Sequence, residues 1–133
     1  MLGHRDHGMA QAEPVAPESL AAEMMIARRS CEWLDGTSRF FAQRGVRPRF
    51  ALRSHNDQRC LDMVSAGLGI TTAPLSLARD DMAIIAVQDY DFTRCLGVIA
   101  EIGSLSSADL SSRLQSALDA AASSLPQAAQ QHP

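Results

Sequence analysis

The sequence predicts an α/β fold: a three-layer sandwich with a mainly parallel βαβαβ sheet. Three observations predict it. Short apolar runs alternate with segments whose apolar residues recur at the helical period. Cap and turn residues separate these segments. The 133 residues, 46% of them hydrophobic, suffice for one core, since a chain of about this size buries roughly two-thirds of its unfolded surface.

The first predicted strand and helix follow a helical turn in PESLAAE. Met24 to Ala27 is a short apolar run bounded by charge, which is typical of a buried strand. A helix is predicted over 31–44, with Ser30 as its N-cap and Gly45 just past its end. Its apolar face is formed by Trp33, Leu34, Thr37, Phe40 and Phe41.

The same alternation then repeats. Residues 48–53 form a predicted strand in which Phe50 and Leu52 alternate with polar or small neighbours. Residues 54–57 are rich in N-cap types and precede a helix over 57–66. That helix is predicted to end at Gly67 and to pack through Cys60 or Leu61, Val64 and Leu68. Residues 69–73 form a third strand that Pro74 closes.

The remaining predicted elements are two β segments, 82–87 and 95–102, and a helix over 106–123. Ser106 and Asp109 suit a capping box at the start of that helix. Its apolar stripe consists of Leu110, Leu114, Ala117, Leu118 and Ala121.

The predicted parallel sheet also indicates where a ligand would bind. Small molecules bind outside the carboxyl ends of such strands, near helix N-termini. The first three strands are followed there by Ser30 and Cys31, by Ser54, His55 and Asn56, and by Pro74. These are the candidate binding residues, although Ser and Asn cap helices anywhere, so simple N-capping remains an alternative.

The charge pattern is uneven. A formal charge of −3 does not favour nucleic-acid binding by the chain as a whole. Residues 28–59, however, hold eight arginines against three acids. This segment either favours anions locally or consists of ordinary solvated faces.

Several other classes are excluded or disfavoured. No apolar run approaches the roughly 20 residues of a membrane span, and no signal peptide precedes the domain, so a cytoplasmic protein is expected. The three cysteines form no CxxC pair, which indicates neither a zinc site nor a disulfide framework. Gly67-Leu68-Gly69 precedes a strand instead of following one, which excludes dinucleotide binding. Neither paired acid-base carboxylates beside a histidine nor a G-x-S-x-G elbow occurs, so no enzyme, cofactor or metal is predicted.

One stretch resembles a known family. Residues 64–74, VSAGLGITTAP, resemble the V-A-A-G-x-G-I…P stretch in the effector-binding region of LysR-type transcriptional regulators. The resemblance extends over about residues 4–120, because further family-like segments occur in the same order. These segments are GHRDHGMAQ, PESLAAEMMIARR, SCEWLDGTSRFFAQRGVRPRF and LGVIAEIGSLSSADLSSRLQSAL.

The resemblance implies the second lobe of a periplasmic-binding-protein-like type 2 effector domain, with the returning strand and helix. Together with the composition of the two chain ends, which is typical of frayed termini, it divides the chain into a partly flexible crossover segment (1–12), the effector-binding lobe (13–123) and a disordered tail (124–133). It also implies a small, anionic metabolite as effector and a homo-oligomer without membrane contact. DNA would be bound only through a helix-turn-helix that these residues do not include.

Two other functions are compatible with the pattern: a solute-binding lobe of a transport receptor, or a stand-alone dimerisation module. Cys31 also resembles the sensing cysteine of the family's peroxide-sensing branch. That branch has a resolving cysteine a short way down the chain, where this sequence has Phe40 and Phe41. An inert or ligand-adjacent thiol is therefore the favoured interpretation of Cys31.

Overall fold

The computed structural model describes residues 1–10, 13–93 and 107–124. The chain divides into two compact units, Met1–Phe92 and Thr93–Pro133. In the first unit, the strands are β1 (Leu2–His4), β2 (Met24–Arg28), β3 (Arg49–Ser54) and β4 (Met82–Ile84), and the α-helices are α1 (Leu34–Gln43) and α2 (Asp57–Ser65). The described helix of the second unit is α3 (Ser107–Ser124).

The sheet of the first unit is mixed. β2 and β3 pair in parallel, and β1 pairs antiparallel with β4. Ile70 and Thr71 lie between β1 and β2. Ile70 forms a parallel bridge with Met25 of β2, and Thr71 forms an antiparallel bridge with Leu2 of β1. The α/β fold with a parallel βαβαβ arrangement is thus confirmed, although the third segment makes single bridges instead of a full strand.

The start of α1 differs from the prediction. The helix begins at Leu34, and Trp33 occupies the cap position without a side-chain hydrogen bond. Ser30 is therefore not its N-cap, and its hydroxyl donates instead to Asp57, 2.8 Å away. The predicted end is correct, because Gly45 has the left-handed φ of +67° that favours glycine.

The helix α2 agrees more closely with the prediction. Asn56 is its N-cap, with Oδ1 accepting a hydrogen bond from the Arg59 N–H at 3.0 Å. Cys60, Leu61 and Val64 are buried, as expected. Leu68 was wrongly placed in this apolar stripe: it is 54% exposed, because the helix has already ended.

The core lies on both faces of the sheet. Met25 packs with Phe40 and Phe41 on the α1 face, whereas Ile26 packs with the α2 residues. Because of a register shift between Met25 and Ile26, Phe50 pairs with Met25 and Leu52 pairs with Ile26. Phe50 and Leu52 therefore do not share a face, and Phe50 remains 42% exposed.

The first residues of the chain contribute a strand to the sheet. β1 includes the fully buried Leu2, whose N–H and carbonyl both bond to Thr71. The predicted segment 82–87 is shorter as a strand, although Val87 still bridges to Val15.

The helix predicted over 106–123 corresponds to α3, on which Leu118 is 49% exposed. The predicted segment 95–102, the Ser106 part of the capping box and residues 125–133 lie outside the described residues.

Gly69 is the position where the backbone leaves no space for a side chain. A Cβ there would lie 2.3 Å from the carbonyl oxygen of Met24, which accepts the Ile70 N–H at 2.9 Å. We expect Gly69→Ala to lower the free energy of unfolding by about 3 kcal/mol, because backbone atoms must shift. Urea unfolding monitored by circular dichroism measures this loss.

Gly67→Ala is the matched control. Gly67 has a φ of +72°, but an added Cβ would meet nothing within 4 Å. Only the left-handed backbone cost of about 1–2 kcal/mol is expected. Equal losses in the two variants would contradict the role given to Gly69.

Candidate functional site

Three strand ends converge on the Arg28 side chain, which is 6% exposed. Arg28 ends β2 and pairs with Ser54 at the end of β3. Its Nη1 donates to the carbonyl oxygen of Thr72 at 3.4 Å, just past the third segment. Its Nη2 donates to Oδ2 of Asp57 at 2.5 Å. The guanidinium thus connects the carboxyl ends of three strand segments to the first turn of α2.

Asp57 is the anionic partner in this arrangement. Its Oδ1 accepts the Ser30 hydroxyl, so both carboxylate oxygens have partners. The hydrogen bond from Arg28 is the largest cause of a lowered Asp57 pKa, while partial burial acts in the opposite direction. The N-terminal dipole of a helix also favours a carboxylate at this position.

Ser54 and Asn56 shape the turn between β3 and α2. The Ser54 hydroxyl oxygen accepts the Asn56 N–H at 3.1 Å, and its backbone carbonyl accepts the Arg29 N–H at 2.8 Å. Asn56 caps the helix. Both residues therefore have the local capping role, and the hydroxyl proton of Ser54 has no acceptor in the described part of the chain.

The other predicted residues lie around this turn. The His55 side chain is exposed and makes no hydrogen bond or ion pair with the described residues. Pro74 follows Thr72 and precedes the 3-10 turn Leu75–Leu77. Cys31 is partly buried beside α1. The structure thus links Ser30 to Asp57, while no described contact joins Cys31, His55 or Pro74 to Asp57.

A second polar cluster, which the sequence analysis missed, lies near Cys31. The Tyr90 hydroxyl is 2.7 Å from Oγ1 of Thr37 and 2.8 Å from Oγ1 of Thr72. Burial raises the pKa of Tyr90, despite these hydrogen bonds. The cluster holds α1 against the carboxyl end of the third segment. Its members are up to 53 positions apart, so no local motif indicated it.

The cysteines give no redox pair among the described residues. Cys31 and Cys60 are both free. Cys60 is fully buried in the α2 cluster, where burial raises its pKa. Cys95 lies outside the described residues. The described ranges also contain no group of three or more metal-ligating side chains.

The comparisons with known proteins identify the family. The model of the LysR substrate binding domain matches residues 1–129, and the chain therefore belongs to this family. The resemblance noted in the sequence is confirmed. None of the curated proteins compared matches the chain significantly.

Solved structures show the same fold. HinK, a LysR family transcriptional regulator from Pseudomonas aeruginosa, is 21% identical with a TM-score of 0.57, over 66% of this chain and 32% of its own. The regulatory domain of CcmR from Synechocystis, in complex with 2-PG, is 19% identical with a TM-score of 0.55, over 65% of this chain and 45% of its own. The effector binding domain of QuiR, in complex with shikimate, is 17% identical with a TM-score of 0.58, over 68% of this chain and 45% of its own. The aligned part of this chain thus spans less than half of each.

The described helices include none that is long and apolar enough to cross a membrane.

Asp57→Asn tests the pair with Arg28. The amide leaves a buried guanidinium without its counter-charge, so we expect the free energy of unfolding to fall by about 2 kcal/mol. Asp62→Asn is the matched control, since Asp62 pairs with Arg79 at an exposed site and should cost less than about 1 kcal/mol. Urea unfolding at neutral pH compares the two variants, and equal losses would contradict the importance of pairing the buried Arg28.

The same pair gives a pH dependence. The folded chain lowers the Asp57 pKa below its ordinary value of 3.8. Its stabilising contribution is therefore complete above that ordinary value and is lost as the pH falls through the folded pKa. We expect the Asp57→Asn variant to lack this part of the acid dependence when unfolding is measured from neutral pH down through the ordinary value.

Proposed function

We propose that this chain is the ligand-sensing part of a LysR-type transcriptional regulator and binds a small, anionic metabolite at the carboxyl edge of its sheet. The observation that carries the proposal is the convergence of three strand ends and the α2 N-terminus around Arg28. Membership of the LysR substrate binding domain family supports it. The proposed binding residues are Ser30, Cys31, Ser54, His55, Asn56 and Pro74.

The chemistry of this edge suits an anion with hydroxyl groups. The Ser54 hydroxyl has a proton to donate, and the first turn of a helix provides free backbone N–H groups. The Arg28 charge is already met by Asp57, but the adjacent Arg29 is exposed and has no ion pair within the described ranges. An effector carboxylate would therefore be balanced by Arg29 and the helix dipole rather than by Arg28.

The solved relatives agree with this ligand class. QuiR binds shikimate, which carries one carboxylate and several hydroxyls, and CcmR binds 2-PG. We infer that an effector of this size binds here by recognition, without covalent chemistry. Residues 13–123 would form the effector-binding lobe, with 1–12 as crossover segment and 124–133 as tail.

In the whole regulator, binding would shift the packing of paired lobes and so change the spacing of DNA-binding helices within a homo-oligomer. The DNA contacts would be made by a helix-turn-helix outside these residues, in the cytoplasm. Reading the coding DNA in frame upstream of Met1 tests this: a helix-turn-helix supports the regulator, whereas a signal peptide contradicts it in favour of a transport receptor.

Ser54→Ala tests the binding site. We expect it to weaken effector binding about tenfold through loss of a hydroxyl donor to an anion, while lowering the free energy of unfolding by less than about 1 kcal/mol. Shikimate and 2-PG are the first probes, titrated into a chain that carries both lobes and followed by isothermal calorimetry.

Ser19→Ala is the control, because Ser19 is exposed on the 3-10 turn Pro17–Ala22, which precedes the N-terminal end of β2, whereas the proposed site lies at the carboxyl end of that strand. It should leave affinity unchanged. For whichever probe binds, equal affinity in Ser54→Ala and the parent chain would remove Ser54 from the site.

A further inference from the structure

Thr72 is the residue at which the two polar clusters of the first unit meet. Its Oγ1 is 2.8 Å from the Tyr90 hydroxyl, and its backbone carbonyl accepts Nη1 of Arg28 at 3.4 Å. Thr71 makes the last bridge to the sheet, so Thr72 lies one residue beyond it. In the described part of the chain, the Thr72 carbonyl accepts only from side chains, namely Arg28 and, at 3.5 Å, the Thr71 hydroxyl. The contact with Tyr90 is therefore the shortest of the side-chain contacts that fix Thr72.

Tyr90 is itself held in place by the core. Its ring packs edge-on against Phe40 and Phe92, with centroid distances of 4.9 and 4.6 Å, and its N–H donates to the carbonyl oxygen of Val87 at 3.2 Å. Burial raises the pKa of Tyr90, so the hydroxyl keeps its proton at neutral pH. The hydroxyl is thus a fixed, uncharged partner for the two threonines.

The orientation of the Arg28 guanidinium depends on Thr72. Nη1 is paired with the Thr72 carbonyl and Nη2 with Asp57, whereas the buried Nε has no partner among the described residues. Two contacts therefore set the plane of the group. Because a guanidinium is rigid and planar, a shift of Thr72 at Nη1 also changes the geometry at Nη2.

We propose that Tyr90 is a positioning residue for the effector edge of the sheet. Through Thr72 it sets the orientation of Arg28. Through Arg28 it sets the place of Asp57, whose other carboxylate oxygen accepts the Ser30 hydroxyl. Its effect on ligand binding rests on the proposed function, in which Ser30 belongs to the effector site. The Tyr90 hydroxyl already contacts two threonines, so it acts through Thr72 and not by touching the effector.

Tyr90→Phe removes the hydroxyl and keeps the ring. We expect the pKa of Asp57 to rise toward its ordinary value of 3.8, because the hydrogen bond from Arg28 is the largest cause of its lowering. NMR titration of the Asp57 carboxyl in the ¹³C-labelled full chain measures this change.

Thr37→Val is the matched control. It removes the other hydrogen bond of the same hydroxyl, at 2.7 Å, and leaves the contact between Tyr90 and Thr72 intact. Loss of one net hydrogen bond should raise the unfolding equilibrium constant about two- to tenfold in both Tyr90→Phe and Thr37→Val. The pKa of Asp57 should move only in Tyr90→Phe, which separates positioning of Arg28 from simple anchoring of α1.

Two variants of Thr72 test the middle of the path. Thr72→Val has nearly the same shape without the hydroxyl and should raise the pKa of Asp57 as Tyr90→Phe does. Thr72→Ser keeps the hydroxyl and should leave that pKa at the parent value. Thr72→Val also replaces Tyr90→Phe if the latter has lost its circular dichroism signal.

Shikimate and 2-PG supply the ligand measurement, titrated by calorimetry into a chain that carries both lobes. For whichever probe binds, we expect Tyr90→Phe and Thr72→Val to weaken binding about three- to tenfold. Thr37→Val and Thr72→Ser should weaken it by less than about twofold.

Three results would overturn the role given to Tyr90. These are an unchanged Asp57 pKa in Tyr90→Phe, an equal rise of that pKa in Thr37→Val, and equal probe affinity in Tyr90→Phe and the parent chain. If neither probe binds the parent chain, the proposed function fails for these ligands, and the Asp57 titration by itself supports or contradicts the positioning of Arg28 by Tyr90.

Discussion

The buried guanidinium of Arg28 is the constraint on which the rest of this edge depends. A charge that is 6% exposed requires a counter-charge and hydrogen-bond acceptors, since leaving it unpaired would cost several kcal/mol. Asp57 and the carbonyl of Thr72 supply them. Because these partners belong to α2 and to the third strand segment, pairing the two Nη groups of one side chain fixes three elements relative to one another, while the buried Nε has no partner among the described residues.

This constraint also shapes the site. Asp57 lies in the first turn of α2, where it accepts the Ser30 hydroxyl as well as the Arg28 guanidinium. The donors left at the edge are the Ser54 hydroxyl and backbone N–H groups, with Arg29 nearby. The Tyr90 cluster performs a similar joining role on the α1 face, where it ties Thr37 to Thr72. Polar side chains thus hold both helices at the end of the sheet where ligands bind in α/β folds.

The sequence predictions were correct where a feature depends on neighbouring residues and wrong where it depends on contacts between residues far apart in the chain. The cap within residues 54–57 and the helix stop at Gly45 were placed correctly because a cap and a left-handed stop depend on a few neighbouring residues. Ser30 was assigned wrongly because its hydroxyl has a stronger partner 27 positions away. The alternation predicted Phe50 and Leu52 on the same face of the strand. A local register shift, which the alternation of residue types does not indicate, places them on opposite faces. In the candidate site, the sequence placed Ser54 and Asn56 at the turn before α2. It did not indicate that Arg28 pairs with Asp57 or that Tyr90 contacts Thr37 and Thr72.

By itself, the sequence determined the order of strands and helices, the helix stops at Gly45 and Gly67, and the resemblance to the LysR family. Each of these depends on local periodicity or on the order of short motifs. Only the tertiary structure decided that Arg28 is buried against Asp57, that β1 inserts antiparallel beside Thr71, and that the Tyr90 hydroxyl contacts both Thr37 and Thr72. These features depend on which distant segments pack together, and packing is set by side-chain volume and charge across the whole unit rather than by any local pattern.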